Sequence, residues 1–172
     1  MKPWAKQKGF TIVELLIVIV VIGTLAAITI VAYNGIQARA RDNTRKQDLA
    51  QIAKALHLYA IDNDNYIETG SGCGASGNGN TLFNYVYASQ KSIAQCLIDA
   101  KVVQKEILDP SGTRYCASGI LSCYAYMKYT CSPVTYVYAH LETIPQTSAD
   151  TDSTCAPNWD SAYGMNYFVR LN

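Results

Sequence analysis

The stretch GFTIVELLIVIVVIGTLAAITIVAY, Gly9 to Tyr33, reads as a membrane span with one charge out of place. From Leu15 to Tyr33 run 19 uncharged residues, interrupted by polar side chains only at Thr24 and Thr29. That is close to the ~20 residues a helix needs to cross a hydrocarbon core. Glu14 stands just ahead of them, and an acidic side chain held mid-bilayer costs ~2.5–3.5 kcal/mol. Whatever makes that carboxylate tolerable also says what the segment is for.

Working outward, the span is preceded by a basic head with Lys2, Lys6 and Lys8, a targeting signature. It departs from a secretory signal peptide because the apolar run is too long and Tyr33-Asn34-Gly35-Ile36 offers no small-x-small cleavage site. The apolar segment is therefore expected to stay on the protein. Charge does not orient it: Arg39, Arg41, Arg45 and Lys46 follow the span, so the positive-inside count is close to a tie. Over the whole chain 14 Lys+Arg meet 13 Asp+Glu, which points neither to nucleic acid nor to an acidic disordered chain. The cysteines break the tie. Cys73, Cys96, Cys116, Cys123, Cys131 and Cys155 all lie beyond the span, and an even number in a loop-rich segment fits disulfides in an oxidising space. None are spaced C-x-x-C, and His57 and His140 are far from a zinc pattern, so disulfides are favoured over metal ligation. This places the N-terminus in the cytoplasm and the cysteine-bearing part outside. Six cysteines allow 15 connectivities, with Cys73–Cys96 one candidate pair.

Helix signals persist past Tyr33. Between Asn34 and Ile61 there is no Pro and the only Gly is Gly35, and Leu49, Ile52, Ala53, Leu56, Tyr59 and Ala60 recur at helical spacing. Arg41, Arg45, Lys46, Asp48, Gln51 and Lys54 are assigned to the solvent face. The pattern ends at Asp62-Asn63-Asp64-Asn65, residues that favour turns. An unbroken helix from Phe10 to Ile61 would extend ~78 Å. Beyond the Gly-rich loop Gly70–Asn80 and a short helix near Ile93–Ala100, three runs alternate with period two: Leu121–Thr130, Val134–Leu141 and Tyr163–Leu171. Such alternation predicts antiparallel strands with one buried face, supported by the helix stripe because three strands alone are marginal. In this reading Tyr124, Tyr126, Tyr136 and Tyr138 share a sheet face as cross-strand pairs, with subunit contact or adhesion as a second role. The expected class is α+β: one long helix packed on a small antiparallel sheet. The parts are a leader at 1–9, an apolar half-helix at 10–33, an amphipathic half-helix at 34–62 and an external head at 63–172.

The Lys8-Gly9-Phe10 junction supplies a partner for Glu14. A cut after Gly9 creates an α-amine on Phe10, and Glu14 lies four residues on. At ~4 Å and an effective dielectric of ~20, amine and carboxylate attract by ~4 kcal/mol, similar in size to the cost of burial. The amine can equally belong to a neighbouring copy, which makes Glu14 a register device for stacked apolar helices, as one buried polar residue sets register in a coiled coil. A carboxylate that simply snorkels out of a signal anchor is the plainer account of Glu14 taken alone.

Lys8-Gly9-Phe10-Thr11-Ile12-Val13-Glu14-Leu15-Leu16 resembles the class III leader and N-methylation motif of type IV prepilins, and the likeness continues through Arg41 and again over Tyr59–Tyr66. The resemblance implies a prepilin peptidase that cuts after Gly9 and N-methylates Phe10. It implies a single-pass inner-membrane subunit, N-terminus cytoplasmic, that polymerises with copies of itself and minor pilins through an assembly platform and ATPase into an extracellular fibre. That fibre would serve adhesion, twitching motility or DNA uptake; the alternative is a pseudopilin of a type II secretion or competence system. DNA as a partner is not otherwise indicated. One departure is Val31, where many pilins carry a Pro that loosens the helix in the fibre; Gly23 with Thr24 offers a weaker break.

Other motifs carry less. Gly72-Cys73-Gly74-Ala75-Ser76-Gly77 matches G-x-G-x-x-G by letter but lacks the strand–helix context. Asp62–Tyr66 begins like a calcium loop, yet Ile67 replaces its Gly and Cys73 its closing Glu. Asp150, Asp152 and Asp160 sit in the long last loop, where some pseudopilins hold calcium; solvated acidic residues are the plainer account. Arg39, Arg41, Arg45 and Lys46 suit lipid headgroups or neighbouring subunits. No catalytic constellation, cofactor or metal is expected.

Overall fold

The structure is a computed structural model that describes residues 9–68, 71–74, 81–86, 90–117, 119–131, 134–145 and 162–171. The chain separates into two compact units, Met1–Ala38 and Arg39–Asn172. One helix, α1, runs over Ile12–Asn63 and contributes to both. It is uninterrupted at Gly23, Thr24 and Val31. Thr24 and Thr29 turn their hydroxyls back to the carbonyls of Val21 and Leu25, at 2.9 and 2.8 Å, so neither leaves a polar group unsatisfied on the apolar segment.

Among the described residues of the first unit, none buries the helix. Phe10 is 89% exposed, and the large aliphatics from Ile12 to Ile30 are open to the surroundings on every side. A helix apolar all round belongs in a membrane or in the core of a bundle, and this one is long and apolar enough to cross a bilayer.

In the second unit α1 has the expected stripe. Leu49, Ile52, Ala53 and Leu56 are buried and Tyr59 is half-buried. They pack on Ile67, Phe83, Ile93, Leu97, Val137, Ala139 and Leu171, each fully buried Leu or Ile contributing ~1.5–3 kcal/mol. The helix stops where turn residues accumulate. Asp64 takes φ 56°, and Asn65 accepts the Ile67 N–H through its side chain at 2.9 Å, which turns the chain back. The short helix α2 covers Ile93–Asp99 and is capped by Ser92, whose hydroxyl accepts the Gln95 N–H at 3.0 Å.

The sheet has four antiparallel strands in the order β1 (Thr81–Leu82), β2 (Met127–Cys131), β3 (Val134–Ala139) and β4 (Tyr167–Leu171). Three were expected; β1, two residues paired with Lys128 and Met127, is too short to show a period. Two of the expected strands begin later than their alternation suggests. Residues 121–126 are turn and coil, tied by the Cys116–Cys123 disulfide. Before β4, Gly164 takes φ 71°, and the Asn166 side chain bonds the Leu141 N–H, the Leu141 carbonyl and the Ile144 carbonyl in place of a backbone ladder.

The sheet is also covered on both faces, not one. Val137, Ala139, Val169 and Leu171 face the helices, while Met127, Tyr136, Tyr138 and Phe168 pack with Leu82, Cys123, Ala125 and Met165 on the other side. The expected tyrosine ladder does not form. Tyr126 precedes β2 and joins the helix-side core, where its hydroxyl bonds Asp48. The cross-strand pairs are instead Met127–Tyr138 and Tyr129–Tyr136. Tyr126, Tyr136 and Tyr138 are buried to within 2% of their surface, which removes them as adhesive contacts.

Candidate functional site

The N-terminal segment is organised around Thr11 and Glu14. Glu14 Oε2 accepts the Thr11 N–H at 2.8 Å and the Thr11 hydroxyl at 2.7 Å, and the Glu14 N–H donates to Thr11 Oγ1 at 3.2 Å. This reciprocal arrangement is a capping box, with Thr11 as N-cap of α1 and Glu14 three residues on. It satisfies donors that the first helical turn leaves orphaned, and it sets a carboxylate against the positive end of the helix dipole. Thus the unusual acid has a local role that needs no second molecule. The box is readable in the sequence as Thr-x-x-Glu ahead of an apolar run, a signal separate from the spacing of Glu14 to Phe10. Gly9 and Phe10 precede the helix and are exposed. Phe10, Glu14, Leu15, Ile17 and Val18 line one shallow apolar depression. Joined to Gly9, Phe10 has a peptide nitrogen, and the donors to Glu14 are the backbone and hydroxyl of Thr11.

A second polar centre lies in the unit Arg39–Asn172, and the sequence put its main residue on the wrong face. Arg45 is 1% exposed. Its Nε donates to Asp109 Oδ2 at 2.6 Å, and one terminal nitrogen reaches Asp42 Oδ1 at 3.0 Å and Glu142 Oε1 at 2.7 Å. Its guanidinium carbon lies 4.4 Å from the centroid of the Tyr124 ring. Arg41 grips Glu142 with two nitrogens, at 2.7 and 2.5 Å. Asp42 accepts the backbone N–H groups of Glu142 and Thr143, both at 2.8 Å, and the Thr143 hydroxyl at 2.7 Å. Two cations thus serve three carboxylates, and together they clasp the segment after β3 to α1.

Burial opposes the Arg45 charge, but the hydrogen bonds it donates to Asp109 and Glu142 outweigh that and hold the guanidinium above its ordinary pKa. Burial likewise works against the Asp42 carboxylate, and the Thr143 hydroxyl with the two backbone donors overcomes it, leaving the pKa depressed. Hydrogen bonds from Arg41 lower Glu142 in the same way. A signal for this centre was present: Asp42 and Arg45 continue the i, i+3, i+4 stripe of Leu49, Ile52 and Leu56 toward the N-terminus.

Disulfides join Cys73 to Cys96 and Cys116 to Cys123. Cys131 is also oxidised, while Cys155 lies outside the described residues, as do Asp150, Asp152 and Asp160. The two histidines are engaged locally. His57 meets the Tyr66 hydroxyl at 3.0 Å, and His140 Nδ1 donates to the Gly164 carbonyl at 2.6 Å.

Residues 4–30 match the family described as the prokaryotic N-terminal methylation motif. That motif stands at the head of the long helix, and the helix with its small antiparallel sheet forms a pilin-like α+β arrangement. Among its relatives, type II secretion system core protein G of Escherichia coli (strain K12) is 35% identical over 72 residues, covering 42% of this chain and 50% of that protein. The proteins of the same name from Dickeya chrysanthemi and Pseudomonas aeruginosa are 33% and 36% identical over 70 and 67 residues, covering 41% and 39% of this chain and 46% and 47% of theirs. The chain thus spans about half the length of the curated relatives it matches. No solved structure matches it.

Proposed function

We propose that this chain is a pseudopilin-type subunit of a type II secretion system, held in the inner membrane by its apolar helix and polymerised with copies of itself into a short periplasmic fibre. The observation that carries the proposal is the methylation motif at residues 4–30 together with similarity to type II secretion core protein G. In this reading a prepilin peptidase cuts after Gly9 and methylates Phe10, and the secretion machinery draws the subunit out of the bilayer. The protein performs no chemistry of its own. Its N-terminus starts in the cytoplasm and its disulfide-bonded part in an oxidising space. Glu14 keeps the capping box through Oε2 and offers its other oxygen to the Phe10 amine of an adjoining copy, which fixes the stagger of the helices.

The motif serves surface pili as well as secretion fibres, so imaging distinguishes the two. Under the secretion reading, cells carry no long sheared filaments containing this chain, and deleting its gene leaves exported enzymes inside. Long surface filaments would favour the adhesion, twitching or DNA-uptake pilus. Mass spectrometry of the mature chain is expected to show an N-methylated Phe10 terminus. A retained Met1 would overturn processing under either reading. Glu14→Ala is expected to insert normally and to cut fibre yield at least tenfold, the consequence of losing ~1.4 kcal/mol or more per contact.

A further inference from the structure

Four cations follow the apolar span, and the structure sorts them. Arg41 is held by Glu142, and Arg45 is buried among Asp42, Asp109 and Glu142. Lys46 lies over the Tyr167 ring, 5.6 Å from its centroid. Arg39 is exposed, and it has no hydrogen bond or ion pair among the described residues. It follows Tyr33, the last residue of the apolar stretch, by six helical positions, which at ~1.5 Å each is about 9 Å along the axis. The headgroup layer extends roughly 5–8 Å beyond the hydrocarbon core on each side, and a long cationic side chain bends back toward it. A guanidinium also presents a planar fork that matches a phosphate with two bonds.

We propose that Arg39 binds the phosphate of an anionic phospholipid while the subunit waits in the membrane, and thereby sets the depth of α1 before assembly. This rests on the membrane-held subunit described above. The position along the helix favours lipid over a neighbouring copy, because residue 39 lies at the outer edge of the headgroup layer, within reach of a side chain that bends back toward it, while the nearby cations are already engaged.

The test reconstitutes the mature full chain in vesicles of phosphatidylcholine with and without about one third phosphatidylglycerol, and follows hydrogen exchange of the amides at 34–40. Slower exchange by about fivefold is expected in the anionic vesicles, the weight of one surface cation. It should vanish in Arg39→Gln, persist in Arg39→Lys and fade at ~1 M salt, where the screening length shrinks to about 3 Å. Protection that follows protein density instead of lipid charge would assign Arg39 to a neighbouring copy and overturn the proposal, as would identical exchange in Arg39→Gln. Failure of the amides at 12–30 to become protected in any vesicle would show that the chain does not insert, and would remove the membrane reading along with it.

Discussion

In residues 12–30 the large apolar side chains stand in the open, whereas among the described residues from 39 on several charged side chains are hidden with the apolar core. Val13, Leu16 and Ile22 are more than half exposed, while Arg45 and Lys128 show 1% or less of their surface. The contrast follows from solvent. A segment destined for lipid or for the dry core of a fibre satisfies its few polar groups within its own backbone, as Thr24 and Thr29 do. A unit with a packed core buries a charge only when it supplies a full set of partners, as at Arg45. Helix α1 thus follows two sets of rules, and each can be broken separately.

The largest effect is expected from Arg45→Met. It leaves Asp42, Asp109 and Glu142 without their shared cation, and breaking one partner of a buried ionic cluster costs ~3–5 kcal/mol. Urea unfolding of the detergent-solubilised full chain, followed by near-ultraviolet dichroism of the tyrosines, should register that loss, with membrane insertion unchanged. A change below ~1 kcal/mol would mean that water serves the three carboxylates equally well.

Lys128 sharpens the contrast through pH. Burial pushes its ammonium down to about 8, although its Nζ donates to the Ile67 carbonyl at 3.0 Å and to the Thr130 hydroxyl at 3.1 Å. The unfolded lysine titrates near 10.5, so between those values the unfolded chain holds more protons and stability rises with pH. The rise between pH 8 and 10 should be about 2 kcal/mol. In Lys128→Met it should be absent, which assigns the rise to this one side chain. A parallel slope in both proteins would show that Lys128 is charged when folded.

How much of this was legible depended on which face of an element the pattern described. The α1 stripe and the β3 and β4 alternation were readable because Leu49, Ile52, Leu56, Val137 and Leu171 are apolar where they are buried. Arg45 was misplaced because periodicity assigns a charge to solvent unless its partners are known, and Asp109 and Glu142 lie 64 and 97 residues away in sequence. The second covered face of the sheet was hidden for a related reason. Tyr136 and Tyr138 look like wet positions until the disulfide-tied segment with Cys123 and Ala125 is folded over them. At the N-terminus the letters were sufficient, since Thr11 and Glu14 are only three residues apart.

That capping box supports the smallest prediction. Thr11→Val keeps the shape of the side chain and removes its hydroxyl. Glu14 then loses one of its two donors, and its own N–H loses its acceptor. An N-cap is typically worth ~1 kcal/mol, so the first-turn amides, including Glu14, should exchange about fivefold faster in lipid, while the head unfolds at the same urea concentration. Thr11→Ser, which keeps the hydroxyl, should stay close to wild type. If Thr11→Val exchanges no faster than wild type, the Glu14 carboxylate alone holds the helix end and Thr11 is incidental. If the head is destabilised as well, the two regions are coupled through α1 more tightly than their separate chemistries require.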